Sequence, residues 1–84
     1  MSNVPRLIKV EPKKNMTLIV KFENGDKKLM DIKPYLKFFD VFNELKDEKV
    51  FNKVKVVYGG FGIAWNKRID LDRYDLWEYG KTVK

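Results

Sequence analysis

The sequence predicts a small α+β domain, in which a mainly antiparallel sheet of β-hairpins carries short helices packed on one side. Three observations lead to this prediction. Alternating apolar and polar residues, which are typical of strands, occur towards both ends of the chain. Turn-favouring dipeptides separate these segments, and short stretches with helical spacing lie between them. Strands and helices are thereby segregated, as in the α+β class.

The first predicted strand runs from Arg6 to Glu11. Its alternation places Ile8 and Val10 on one face and Leu7, Lys9 and Glu11 on the other. A turn follows over residues 12–15, where proline and asparagine favour a chain reversal.

The next two predicted strands, Thr17 to Glu23 and Lys27 to Ile32, flank the dipeptide Asn24-Gly25. This dipeptide tolerates positive φ angles, so it predicts a tight hairpin with a type I′ turn. The apolar residues that alternate along both strands are expected to form one core face: Leu18, Val20, Phe22, Met30 and Ile32.

The segment from Pro34 to Leu45 has apolar residues at helical spacing, and Pro34 suits the first position of a helix. The spacing of Phe38, Phe39 and Phe42 allows two interpretations. They either pack in the core or form a groove for a partner, and an apolar stripe of this kind is more often core.

A second short helix is predicted from Glu48 to Asn52, with Asp47 as its N-cap. The connection between the two helices is too short for a domain boundary. Residues 1–84 are therefore expected to form a single domain.

The stretch from Val54 to Gly80 predicts a second hairpin that leads into a capped helix. The strands Val54 to Tyr58 and Phe61 to Trp65 flank the turn Gly59-Gly60. A further turn at residues 66–68 precedes alternating residues in which Ile69 and Leu71 share a face.

The last predicted helix runs from Arg73 to Tyr79. Asp72 occupies the N-cap position and Gly80 the C′ position, where a left-handed conformation is common. Lys81 is expected to interact with the negative end of this helix.

Composition excludes several kinds of chemistry. The 84 residues include no cysteine and no histidine, so disulfides, thiolate metal sites and histidine-based catalysis are excluded. No apolar run approaches the roughly 18 residues of a membrane span, and no signal-peptide pattern is present. We therefore expect a cytoplasmic protein without a cofactor that is not an enzyme.

Four segments carry a family resemblance: F-E-N-G-D-K-K-L-M-D-I-K-P-Y-L, V-F-N-E-L-K-D-E-K-V-F-N-K-V, G-G-F-G-I-A-W-N and I-D-L-D-R-Y-D-L-W. In this order and spacing, from about Val4 to Trp77, the sequence resembles the domain of unknown function 2442 family. The resemblance implies a small prokaryotic α+β protein with no assigned activity. By analogy it implies regulatory or toxin–antitoxin-like partners. The helix-turn-helix that some longer members carry is missing here.

Two motifs have a functional and a structural interpretation. Asp70, Asp72 and Asp75 are hard oxygen ligands for Mg²⁺ or Ca²⁺, but a helix cap and pairing with arginine explain them better. Gly59, Gly60 and Gly62 superficially suggest a phosphate loop. Because predicted strands flank these glycines on both sides, a hairpin turn is the favoured interpretation.

The net charge of +6 makes nucleic acid the alternative partner. Exposed rings on a sheet stack bases while cations hold phosphates. The residues for such a site are Tyr58, Phe61, Trp65, Lys53, Lys55, Lys67 and Arg68. The other interpretation is that a lysine-rich surface is merely solvated, since 15 of the 18 cationic residues are lysines, which lack the planar fork that reads bases.

The favoured hypothesis is a non-catalytic, regulatory or protein-interaction module with a protein partner or a second copy of itself. Tyrosines suit interfaces because each joins an apolar ring to a polar tip. An exposed edge strand at residues 6–11 is a second route to pairing. The candidate interaction surface comprises Tyr35, Tyr58, Lys67, Arg68, Arg73, Tyr74 and Tyr79.

Overall fold

A computed structural model describes residues 4–83 and confirms the α+β class. Among these residues, seven strands form two antiparallel sheets, one with the order β1-β2-β3-β7 and one with the order β4-β5-β6. The strands are β1 (Leu7–Lys13), β2 (Thr17–Phe22), β3 (Lys27–Asp31), β4 (Lys55–Val57), β5 (Gly62–Ala64), β6 (Asp70–Asp72) and β7 (Lys81–Val83).

The helices are short. In the part of the chain that the structure describes, two α-helices, α1 (Glu48–Phe51) and α2 (Arg73–Tyr79), accompany three 3₁₀ segments at Lys33–Lys37, Asp40–Lys46 and Tyr58–Gly60. Within residues 4–83, no helix has the length and apolar composition that crossing a bilayer requires.

The first strand lies close to the predicted position, but Leu7 does not share a face with Lys9 and Glu11 as predicted. Leu7 is buried, whereas Ile8 is 55% exposed. The pairing of β1 with β2 shifts register between Leu7 and Lys9, so an extra residue is inserted in β1. Such a bulge changes the face on which the preceding residues lie, and alternation alone does not reveal it.

The first hairpin is confirmed, but its turn is not type I′. Leu18, Val20 and Phe22 are fully buried as predicted. Gly25 has a φ of +95°, and its N–H donates to the carbonyl of Phe22. Asn24 keeps a negative φ, and its Oδ1 accepts a hydrogen bond from the N–H of Asp26 at 3.1 Å. The loop is therefore a type I turn followed by a glycine bulge, in which only the glycine requires positive φ.

The single helix predicted from Pro34 to Leu45 is two 3₁₀ segments. Phe39 lies between them in an extended conformation, with φ −134° and ψ 107°. This break separates the phenylalanines that helical spacing would have placed on one stripe. Phe42 is buried, whereas Phe38 and Phe39 are exposed.

The prediction for α1 is confirmed, because Asp47 accepts a hydrogen bond from the N–H of Lys49 at 2.9 Å. The β4–β5 hairpin is also present. Its turn places three successive residues at positive φ, Tyr58 at 56°, Gly59 at 64° and Gly60 at 96°. A methyl group on Gly60 would lie 2.7 Å from the carbonyl oxygen of Leu7, so glycine allows the second sheet to approach the start of β1.

Asp72 caps α2 as predicted, accepting from the N–H of Tyr74 at 2.9 Å. Gly80 has a φ of −71°, so it is not the left-handed C′ residue that the sequence predicts. A glycine is required at this position for lack of space, because a side chain there would collide with the Leu76 carbonyl and the Lys28 side chain. The chain then continues as β7, a strand that was not predicted, and Lys81 pairs with Leu29.

The core lies between the four-stranded sheet, the second sheet and the helices. Leu18, Val20, Phe22 and Met30 line the inner face of the first sheet. The ring of Trp77 on α2 meets Phe22 edge to face, with centroids 5.0 Å apart. The opposite face of this sheet carries no helix among the described residues, and we call it the open face.

Candidate interaction surface

A depression of about 520 Å³ lies between the end of β3, the first 3₁₀ segment and α2. We call it the aromatic groove. Its lining is mainly apolar and consists of Met30, Asp31, Pro34, Tyr35, Phe38, Phe39, Asp75 and Tyr79. Phe38 is 76% exposed, Phe39 is 52% exposed and Tyr79 is 69% exposed.

These exposed rings are a consequence of the local backbone. Pro34 occupies an early position of the first 3₁₀ segment, where its fixed φ is compatible with the helical turn. The segment ends at Lys37 with Phe38 as its C-cap, and the extended conformation of Phe39 directs the chain towards the second segment. Two large apolar side chains therefore lie at a break between helices, where the core does not cover them.

Ring contacts connect the groove to the core. Tyr35 stacks on Phe39 at 6.4 Å between centroids and on Phe42 at 5.4 Å. The buried Phe42 in turn contacts Trp65 at 6.1 Å. Trp65 also contacts Phe51, and its indole N–H is buried without an acceptor among the described residues. Phe39 is thus held by one face of a continuous aromatic cluster, while half of its surface stays exposed.

A hydrogen bond fixes the floor of the groove. The hydroxyl of Tyr35 donates to Oδ2 of Asp75, in the first turn of α2, at 3.2 Å. Burial of the ring, followed by the negative charge of Asp75, raises the pKa of Tyr35 well above its ordinary value. Tyr35 therefore remains a donor throughout the physiological pH range.

The second carboxylate of the groove belongs to Asp31. Burial opposes its ionisation, but the backbone N–H of Lys33, its ammonium group and the charge of Lys81 together lower the pKa of Asp31. Asp31 and Lys33 form an ion pair at 3.0 Å. The charges that line the groove are hence both negative, although the whole chain is basic.

The predicted surface residues are distributed over three places. Tyr35 and Tyr79 line the aromatic groove together. Lys67 and Arg68 are exposed in the loop after β5, where Arg68 forms an ion pair with Glu44 at 2.6 Å. The remaining three predicted residues lie near Phe61. Tyr58 lines a depression beside Phe61, Arg73 contacts the Phe61 ring, and Tyr74 contacts Arg73.

The cluster around Phe61 joins rings to arginines. The guanidinium of Arg6 lies 5.1 Å from the Phe61 centroid and that of Arg73 lies 4.5 Å from it. Arg73 also lies 4.8 Å from the ring of Tyr74. Because two guanidinium groups already contact the Phe61 ring, its surface is less accessible for stacking with a base.

The structure changes the residue set for the nucleic-acid alternative. Trp65 is buried, so it has no free ring face for a base. Tyr58 is exposed, and its hydroxyl lies 3.5 Å from Asp70. Lys53, Lys55 and Lys67 are exposed as well.

The aspartates of the metal hypothesis have other partners. Asp72 caps α2, Asp75 accepts from Tyr35 and Asp70 lies near Tyr58. Within residues 4–83, no group of three or more potential ligand side chains is arranged to hold a metal ion. Gly62 makes room for the Leu71 carbonyl and for the ring of Tyr58, as a glycine within a strand is expected to do.

Phe38, Phe39, Met30 and Asp31 belong to the groove but not to the predicted surface. The sequence contains one signal for the two phenylalanines. Adjacent residues such as Phe38 and Phe39 point about 100° apart on a helix, so a narrow core stripe does not bury both easily. The broken helix that exposes both rings has no comparable signal.

A family model described as protein of unknown function (DUF2442) matches residues 7–82. No curated protein and no solved structure matches the chain.

Proposed function

Because the chain belongs to the DUF2442 family, whose description assigns no activity, we propose its function from its surface. The protein is a non-catalytic module that binds another protein through the aromatic groove. The observation that carries this proposal is the exposure of Phe38 and Phe39 beside Tyr79 in one depression. A small regulatory partner, of the toxin–antitoxin-like kind that the family resemblance implies, is the narrower form of the proposal.

Exposed aromatic rings in a depression support binding because burying them removes a large apolar area from water. Phenylalanine and tyrosine each bury about 150 Å² or more when fully covered. Residues with the largest binding energies at interfaces are often rings that enter a well-packed pocket. The contacts of Phe39 with Tyr35 and Phe42 hold its ring in place before a partner arrives, which lowers the entropic cost of binding.

The groove also indicates the chemistry of the partner segment. Its apolar lining favours an apolar or aromatic side chain in the depression. Asp31 and Asp75 favour a lysine or arginine at the edge, since both carboxylates line the groove. The chain contains no histidine and no cysteine, which supports binding over catalysis.

The test is affinity purification of the tagged protein from its native cells, with nuclease added to remove nucleic acid. The groove variant carries Phe38→Ser and Phe39→Ser. The control variant carries Tyr58→Ser and Tyr74→Ser, which removes two exposed rings outside the groove. Circular dichroism establishes that both variants are folded.

We expect the wild type and the control to retain one protein partner in high salt. The groove variant is expected to retain at least about tenfold less of that partner. Equal retention by the groove variant would contradict the proposal, as would loss by the control alone. Sedimentation of the purified protein tests whether the partner is a different protein or a second copy of the chain. If the wild type sediments as a dimer and the groove variant as a monomer, the partner is a second copy of the chain.

A further inference from the structure

The open face of the four-stranded sheet carries a row of three lysines. Lys9 on β1 pairs directly with Lys21 on β2, and Lys21 pairs directly with Lys27 on β3. Directly opposed residues have Cβ atoms only about 5 Å apart. We call these three residues the lysine row.

The lysine row is only partly neutralised. Glu11 accepts from Lys9 at 3.0 Å and from Lys13 at 3.2 Å, and both contacts lower the pKa of Glu11. None of the ion pairs among the described residues includes Lys21 or Lys27. Glutamate and aspartate therefore do not neutralise the centre and the far end of the row.

The two carboxylates at the nearby hairpin loop have other partners. Glu23 accepts from the backbone N–H of Arg6 at 2.8 Å, and Asp26 accepts from the side chain of Asn24 at 3.1 Å. Like charges directly opposite each other destabilise a sheet. A lysine-rich surface that is merely solvated does not require this alignment, because lysines on separate strands could be staggered.

The whole open face is basic and lacks rings. Its register places Lys9, Lys13, Lys21, Lys27 and Lys81 on this face, together with the carboxylates Glu11 and Asp31. Ile19 and Leu29 lie half-buried at its centre. Phe22 pairs with Leu7 on the core face, and none of the described residues that the register places on the open face is aromatic. The face therefore offers cations to phosphates without a stacking platform.

We propose that the lysine row is a phosphate-binding site for the backbone of nucleic acid. A duplex offers a continuous series of phosphates, which suits cations aligned at intervals of about 5 Å across three strands. A membrane surface is disfavoured because the apolar residues of the face are half-buried instead of protruding. Contacts with phosphates alone predict binding without sequence preference.

The test measures fluorescence anisotropy of a labelled DNA duplex of about two helical turns at stepped KCl concentrations. The test variant is Lys21→Gln with Lys27→Gln. The control is Lys46→Gln with Lys49→Gln, two exposed lysines outside the four-stranded sheet. Each double variant removes two of the six net positive charges, so the charge of the whole molecule is matched.

For the wild type, three phosphate contacts predict a log–log salt slope of about −2.7. The magnitude of the slope is expected to decrease in the row variant, to a slope of about −1, because each lost phosphate contact reduces the magnitude by about one. The control keeps the wild-type slope. Because opposed lysines repel, the row variant is also expected to unfold at a higher urea concentration than the wild type.

Three results would overturn the proposal. The first is no duplex binding by the wild type at low salt. The second is an equal loss in both double variants, which would show that net charge alone attracts the duplex. The third is tighter binding to phosphatidylserine vesicles or to polyglutamate than to the duplex, which would identify the face as a membrane or an acidic-protein surface.

Discussion

The hydroxyl of Tyr35 and the carboxylate of Asp75 lie 3.2 Å apart and join two elements that are 40 residues apart in the chain. Tyr35 belongs to the first 3₁₀ segment, which has no buried residue of its own. This hydrogen bond and the ring contacts of Tyr35 therefore fix that segment against α2. Since both residues line the aromatic groove, the same bond sets the width of the groove.

Replacing Tyr35 by phenylalanine is expected to lower the free energy of unfolding by about 1 kcal/mol, because the ring contacts stay and one hydrogen bond is lost. Urea denaturation measures this difference. The control is Tyr74→Phe, whose hydroxyl has no hydrogen bond to any other residue within 4–83; its effect is expected to stay within about 0.5 kcal/mol. Equal effects of the two substitutions would contradict a structural role for the Tyr35–Asp75 bond.

The raised pKa of Tyr35 predicts a specific alkaline behaviour. Because the folded-state pKa lies above the unfolded value of about 10, this contribution to stability is present below pH 10 and is lost as the pH rises through the folded-state pKa. The absorbance of tyrosinate near 295 nm is compared between wild type and Tyr35→Phe.

While the protein is folded, we expect no tyrosinate signal from Tyr35 near pH 10, so the two titration curves should coincide there. The curves separate only when the protein unfolds. A difference of about half a tyrosinate near pH 10 in folded protein, with unchanged circular dichroism, is what an ordinary tyrosine would give and would show that Tyr35 is not held in its protonated form.

Local signals predicted much of this fold because they depend on neighbouring residues. The alternation of Leu18, Val20 and Phe22 predicts a buried strand face, and these residues are fully buried. The carboxylates Asp47 and Asp72 cap helices where the sequence places them. For the two caps, the stabilising hydrogen bond is formed with a residue two positions further along the chain.

The sequence did not predict features that depend on distant residues. The bulge that buries Leu7 and exposes Ile8 is a property of the pairing with β2. Lys28 is another example, because its ammonium group lies 4.2 Å from the Trp77 centroid and donates to the Trp77 carbonyl, 49 residues away. Neither contact leaves a pattern among adjacent residues.

The aromatic groove likewise contains residues that the sequence predicts and residues that it does not. Its tyrosines were predicted as interface residues from their chemistry, and Tyr35 and Tyr79 do line it. Phe38 and Phe39 were favoured as core because their spacing is helical. The extended backbone of Phe39 changes this outcome, and a preference for a break at that residue is not encoded by a proline or a glycine.

Gly60 and Gly25 separate the cost of backbone strain from that of a collision. Both residues have φ near +95°, but only Gly60 has atoms close to the position of a side chain. Gly25→Ala is expected to cost about 1–2 kcal/mol, which is the penalty of a left-handed conformation. Gly60→Ala is expected to cost about 3 kcal/mol or more, because the turn after β4 must also move away from Leu7 at the start of β1.

Urea denaturation of both glycine variants provides the comparison. Equal costs for the two substitutions would mean that the approach of Gly60 to the Leu7 carbonyl is not required for packing the two sheets together. A larger loss for Gly25→Ala would contradict the open surroundings of the first hairpin turn.

Phe38 and Phe42 provide the sharpest test of which aromatic residues belong to the core. Phe38→Ala is expected to change the free energy of unfolding by less than about 0.5 kcal/mol, because its side chain is mostly exposed. Phe42→Ala is expected to cost about 3–5 kcal/mol, since it empties a buried site that contacts Trp65 and Tyr35. A domain of this size has only about 4–13 kcal/mol of total stability, so the Phe42 variant should lose a large share of it. Thermal denaturation followed by circular dichroism measures both effects. A large loss for Phe38→Ala would place that ring in the core and remove the main support for the aromatic groove as a binding site.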